Sequence, residues 1–140
     1  MHHLVSMVLA AAHYPPKDSW FNWVFGPQLL GVIFLLIGGI QYRYPPKKIN
    51  NLYGYRTDTS KRNQETWDEA QRYSSAYMIK MGLYAIVLGF LATAALNLSP
   101  LSVDKRFVLA MPIYFAGAVI PIILMLVKTE KHLKEKFGEK

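Results

Sequence analysis

"MGLYAIVLGFLATAALNL", Met81 to Leu98, is a run of eighteen residues without a single charge. At roughly 1.5 Å per residue a helix of that length reaches about 27 Å, nearly the ~30 Å thickness of a bilayer's hydrocarbon. Two blocks of the same character flank it, Trp23 to Gln41 and Phe107 to Val127. Inside hydrocarbon a backbone must satisfy its own hydrogen bonds, so each block reads as a helix. The pattern predicts an all-α integral membrane protein with three transmembrane helices. Residues 1–22 then form an extracytoplasmic arm, 23–127 the membrane domain with a loop at 43–76, and 128–140 a basic tail.

The chain has 140 residues, 52% of them hydrophobic, which suits one domain whose apolar content is gathered rather than spread. Its formal net charge of +7 is placed unevenly. Arg43, Lys47, Lys48, Arg56, Lys61, Arg62 and Arg72 lie between the first two blocks; Lys128, Lys131, Lys134, Lys136 and Lys140 follow the third. Only Lys17 precedes the first block, and only Lys105 and Arg106 separate the second from the third. Basic loops stay in the cytoplasm, so the N-terminus is expected outside and the C-terminus inside. Membrane topology thus accounts for the charge without a nucleic-acid partner. The absence of cysteine excludes disulfides, thiolate metal sites and cysteine nucleophiles.

At the start, Leu4 to Ala12 is too short to span and lacks the basic flank of a signal peptide. It reads as an interfacial helix or frayed arm. His2, His3 and His13 have no accompanying carboxylate and read as surface residues rather than a metal site. Pro15 and Pro16 break any helix, Trp20 and Trp23 suit an aromatic belt, and Pro27 fits a helix's opening turn. Gly31 and Gly38 share a face. Ala85, Gly89 and Thr93 form a small-residue ladder with Gly82 nearby, which points first to internal packing and second to an oligomer. Pro121 predicts a kink in the third helix, and the sign-alternating tail predicts that this helix continues into water.

None of the three blocks contains Asp, Glu, Arg or His. Ion pathways and intramembrane hydrolases need such groups, so a non-enzymatic protein without a cofactor is expected. Attention moves to "LYGYRTDTSKRNQETW", Leu52 to Trp67, dense in aromatic, hydroxyl and cationic side chains. Gly54 permits a bend between Tyr53 and Tyr55. Thr57, Asp58, Thr59 and Ser60 can each cap a helix, expected from about Lys61, with Asp68–Arg72 and Arg62–Glu65 as ion pairs along it. Asn50, Tyr55, Arg56, Thr57 and Ser60 are expected to fold against Trp67. Two readings fit this cluster. Arg56 and the hydroxyls hold a phosphate or carboxylate, or Arg56 locks the fold by binding a backbone carbonyl.

The same stretch resembles the SdpI family of small bacterial membrane proteins. The matching positions are Asn50, Tyr53-Gly54-Tyr55-Arg56-Thr57, Ser60, Thr66 with Trp67, Ala70, and Arg72 with Tyr73. The sequence departs from the pattern at Asn51, Asp58 and Gln71, where Gly, Pro and Asn are common. The resemblance implies an immunity protein of the bacterial cytoplasmic membrane that protects against a secreted, membrane-active peptide toxin and helps signal its presence. It marks Asn50, Tyr53, Gly54, Tyr55, Arg56, Thr57, Ser60 and Trp67 as site residues. Membrane lipid, a peptide toxin or a membrane-protein partner are the partners it suggests. A structural or regulatory subunit of a membrane complex and a binder of lipid headgroups are the alternatives.

Overall fold

The computed structural model describes residues 24–138. The expectations for residues 1–22, for His2, His3 and His13, and for Trp20 and Trp23 lie outside the described residues. Those residues that are described form three helices and no strand: α1 (Pro27–Arg43), α2 (Gln64–Leu98) and α3 (Val103–Phe137).

Each helix starts where local chemistry permits. Pro27 opens α1, where its fixed φ suits the first turn and its missing N–H matters least. Asn63 and Thr66 start α2 by capping each other. Asn63 Oδ1 accepts the Thr66 N–H at 2.9 Å, and Thr66 Oγ1 accepts the Asn63 N–H at 3.2 Å. The helix therefore begins at Gln64 rather than Lys61, and Thr57 to Ser60 form a preceding turn. From there α2 runs unbroken for 35 residues, joining the polar segment to the apolar block as one rod. α3 is equally long, passes through Pro112 and Pro121, and carries the tail as helix to Phe137.

Both α2 and α3 are long and apolar enough to cross a membrane. α1, at 17 residues, is at the short end of the spanning range. α2 is central: α1 and α3 pack along it antiparallel and hardly touch each other.

The packing is inverted relative to a water-soluble bundle. α1 buries Gln28, Gly31, Gly38 and Gln41 and exposes Leu36, Ile37 and Ile40. The apolar half of α2 buries Gly82, Ala85, Gly89 and Thr93 and exposes Leu83, Val87, Leu88 and Leu91. None of the most apolar window of α3 is buried. Large side chains outward and small ones inward is the arrangement of helices that pack by close backbone approach in hydrocarbon.

Gly31 and Gly82 mark the closest crossing. A Cβ on Gly31 would lie 2.6 Å from the Gly82 carbonyl oxygen, and one on Gly82 would lie 2.8 Å from that of Gly31. Gly89 receives the Gln28 backbone, and Thr93 Oγ1 lies 3.5 Å from the Tyr114 hydroxyl. The small-residue ladder is thus filled from within the chain. At the α2–α3 turn Arg106 donates to the carbonyls of Leu101, Asn97 and Ser99 at 2.8, 3.1 and 2.8 Å. It thereby caps the C-terminal end of α2.

Gly82→Leu is expected to destabilise the protein by about 1–3 kcal/mol through overpacking. Gly39→Ala, at a position with nothing within 4 Å of the new methyl, is expected to be neutral or slightly stabilising. Unfolding in mixed detergent micelles, followed by far-UV circular dichroism, separates the two.

Candidate functional site

The loop from Tyr44 to Asn63 folds back onto the polar ends of the helices. Trp67, fully buried, donates its indole N–H to the Pro46 carbonyl at 2.7 Å. One turn away Gln64 Nε2 holds the Lys47 carbonyl at 2.9 Å. Asn50 then turns the chain: its Oδ1 accepts the N–H groups of Leu52 and Tyr53 at 2.8 and 3.1 Å, an Asx-type turn. Gly54 has φ +96, where a side chain is strained. A Cβ there would also collide with the Gln71 amide.

Gln71 occupies the space that Gly54 leaves open. Its Oε1 accepts the Tyr55 N–H at 2.7 Å, and its Nε2 donates to the Tyr55 carbonyl at 2.8 Å. One side-chain amide thus satisfies both polar groups of a backbone residue, as a neighbouring strand would. Gln41 of α1 donates to the same Oε1 at 3.1 Å and to Ser74 Oγ at 3.2 Å, while Ser75 Oγ donates to the Gln71 carbonyl at 2.7 Å. Buried polar groups are costly when unpaired, so these bonds stand or fall together. The Tyr55 ring packs with Ala70 and Leu133, which adds α3 to the contact.

The turn after Tyr55 closes on itself. Ser60 Oγ accepts the Thr57 N–H at 2.9 Å and lies 3.2 Å from the Tyr55 carbonyl; the Ser60 N–H bonds Thr57 Oγ1 at 3.2 Å. Beyond it sits a carboxylate from α3. Glu130 Oε1 accepts the Tyr55 hydroxyl at 2.9 Å, and the Thr57 and Thr59 side chains favour the same carboxylate's charged form. Burial works to raise the Glu130 carboxyl, but the three hydroxyls outweigh it and hold the group below its ordinary value. Burial, then Glu130, pushes the Tyr55 phenol well up.

A second carboxylate joins α2 to α3. Glu69 takes His132 Nε2 at 2.8 Å, Lys136 Nζ at 2.9 Å and Arg72 Nη2 at 3.2 Å. Burial opposes ionisation there, yet the bonds from Lys136, His132 and Arg72 win and lower the group to about 2. The His132 ring stacks on Tyr73 with centroids 4.0 Å apart. The expected ion pairs are displaced: Arg72 turns to Glu69, Asp68 takes Gln64 Nε2 at 2.7 Å, and Arg62 donates to the Gly138 carbonyl.

Of the residues singled out in the sequence, Gly54, Tyr55, Thr57, Ser60 and Trp67 come together around Gln71 and Pro46, with Asn50 shaping the approach. Arg56 is exposed and donates to the Asn51 carbonyl. Its guanidinium and the Trp67 indole therefore act in separate places, and the hydrogen bond is of the backbone-locking kind. Tyr53 stands half exposed. Sequence reasoning gave no site role to Gln41, Gln71, Glu69, Glu130 and His132. The available signal was that Gln71, Ser74 and Ser75 continue the Trp67 face of α2. Beside the Trp67–Pro46 contact an open groove of about 470 Å³ is lined by residues of α1, the loop and α2, among them Tyr42, Lys47, Asp68 and Arg72.

The profile of the SdpI/YfhL protein family matches residues 47–125, which cover most of the loop, all of α2 and most of the apolar part of α3. The uncharacterized protein YfhL of Bacillus subtilis (strain 168) is 38% identical over 107 residues, spanning 76% of this chain and 84% of that protein. No solved structure matches.

Gln71→Leu leaves the Tyr55 N–H unpaired and the Tyr55 carbonyl with only the Ser60 hydroxyl, and is expected to cost about 2–4 kcal/mol, whereas Trp67→Phe, which removes one bond to a carbonyl, is expected to cost about 1–2 kcal/mol. Detergent-unfolding curves measure both. Because Glu69 is held at about 2 against an ordinary 4.5, its stabilisation is complete above pH 4.5 and fades as pH falls toward 2. The unfolding midpoint is expected to drop across that interval, and Glu69→Gln to flatten the drop.

Proposed function

The chain belongs to the SdpI/YfhL protein family, and on that premise we propose that it is a non-enzymatic immunity protein which engages a membrane-active peptide. In this reading α1, α2 and α3 all cross the bacterial cytoplasmic membrane. Residues 1–22 lie outside, and the loop 43–76 and the tail 128–140 lie in the cytoplasm. The distribution of Lys and Arg supports that orientation. The chain is a membrane protein in lipid, with no nucleic-acid partner.

The observation that carries the proposal is a loop clamped along its backbone that still displays side chains at its tip. Leu52 is 87% exposed and Tyr53 51%, and Arg56 stands beside them. A tyrosine and an arginine are the kinds of side chain that anchor a protein partner. Holding them on a fixed loop lowers the ordering cost of binding. Tyr53 and Arg56 are then contact residues, and Asn50, Gly54, Tyr55, Thr57, Ser60 and Trp67 hold the frame. The reading as a subunit of a larger complex draws on the Ala85–Gly89–Thr93 ladder and on the prolines of α3; Gln28 and Tyr114 fill the ladder, and α3 keeps the second motive.

The test is survival of peptide-sensitive cells carrying the chain, an empty vector, or a Tyr53→Ala/Arg56→Ala variant whose membrane abundance is verified by immunoblot. Protection by the chain is expected, with a loss of about tenfold or more in the variant as two anchors are removed. Equal sensitivity of all three strains contradicts the proposal.

A further inference from the structure

The groove beside Pro46 has features that the proposed peptide contact does not use. Its floor is rigid, because Trp67 fixes the Pro46 carbonyl and Gln64 fixes that of Lys47. Its charged lining is Lys47, Arg72 and Asp68. The Lys47 ammonium makes no hydrogen bond or ion pair among the described residues. Arg72 uses only Nη2, toward Glu69, and its side chain is 71% exposed, so Nε and Nη1 remain available as donors. Asp68 Oδ1 is occupied by Gln64 Nε2. Counting Glu69, which pairs with both Arg72 and Lys136, the cations Lys47, Arg72 and Lys136 and the carboxylates of Asp68 and Glu69 leave a single positive charge, which one phosphodiester balances.

The groove is also continuous with the apolar surface. Tyr42 forms part of its wall, and by helical spacing the same flank continues with Leu35 on α1 and, beyond Arg72, with Ala76, Ile79 and the exposed Leu83 on α2. A ligand seated here has a polar site for its head and an apolar face for its tails. Arginine and lysine together suit phosphate, the first by its planar fork and the second as a point charge. Basic pockets between helices at the membrane surface hold lipid headgroups by this chemistry.

We infer that the groove formed by Tyr42, Pro46, Lys47 and Arg72 seats the phosphodiester of a membrane glycerophospholipid, with Lys47 and Arg72 as the phosphate ligands. The inference rests on the membrane placement in the preceding proposal and not on protection against a peptide. Asp68 limits the site to a singly charged headgroup phosphate. The apolar wall selects a lipid over free phosphate.

Native mass spectrometry of the full chain, purified in detergent, tests this. The probes are dioleoylphosphatidylglycerol, dioleoylglycerol and inorganic phosphate. One phospholipid adduct is expected, retained about tenfold more than the diacylglycerol, which lacks the phosphate. Lys47→Gln and Arg72→Gln should each lower it several-fold and Arg72→Lys less. Circular dichroism should show all three variants folded, since both side chains are exposed. Equal retention of the two lipids, or adducts indifferent to Lys47→Gln, overturns the inference. Displacement of the phospholipid by millimolar inorganic phosphate overturns it too, assigning the groove to the free anion. Failure of the chain to fractionate with membranes would instead sink the membrane placement, so the two failures are distinguishable.

Discussion

The polar end of this protein depends on one side chain bonding one backbone residue at two points. Gln71 takes the N–H of Tyr55 and gives to its carbonyl. That pairing dictates a glycine at position 54, because any side chain there would occupy the amide's place. It also brings the Tyr55 ring onto Ala70 and Leu133 and the Tyr55 hydroxyl onto Glu130. Through Gln41 the same amide reaches α1. The three helices are therefore joined at this end by a network centred on a neutral amide, not on the motif arginine.

Below that network the bundle is held differently. Gly31 against Gly82 and Gly89 against Gln28 let α1 lie close along α2, so attraction comes from many short-range contacts between backbones. In hydrocarbon the outward Leu, Ile, Val and Phe residues gain nothing by turning inward, and small residues facing each other are the better arrangement. The ionic contacts sit outside the apolar windows, where Glu69 collects His132, Lys136 and Arg72. The division of labour follows the dielectric. Dispersion and close approach act where there is no water, and charge acts where water reaches.

The helices were legible because three uncharged blocks leave the backbone no other solution. Their ends were less so. Thr57, Asp58, Thr59, Ser60 and Asn63 all have capping chemistry, and only the reciprocal bond with Thr66 selects Asn63. The motif glycine and tryptophan could be read as structural, and both are. Arg56 drew attention as the charge in the motif, and its bond to the Asn51 carbonyl follows the locking alternative that spacing left open. Gln71 stood out only as a departure from the family pattern and was given no role, because glutamine on a polar helix usually faces water; its burial depends on a loop many residues earlier. Glu130 and His132 were given none for the same reason, since their partners lie on other elements.

The most direct measurement of this account is hydrogen exchange at the Tyr55 amide in the full chain in detergent micelles. A loop locked by Gln71 predicts that this N–H exchanges as slowly as the buried amides of α2 around Ala70. Exchange at the rate of an unstructured loop amide would contradict it.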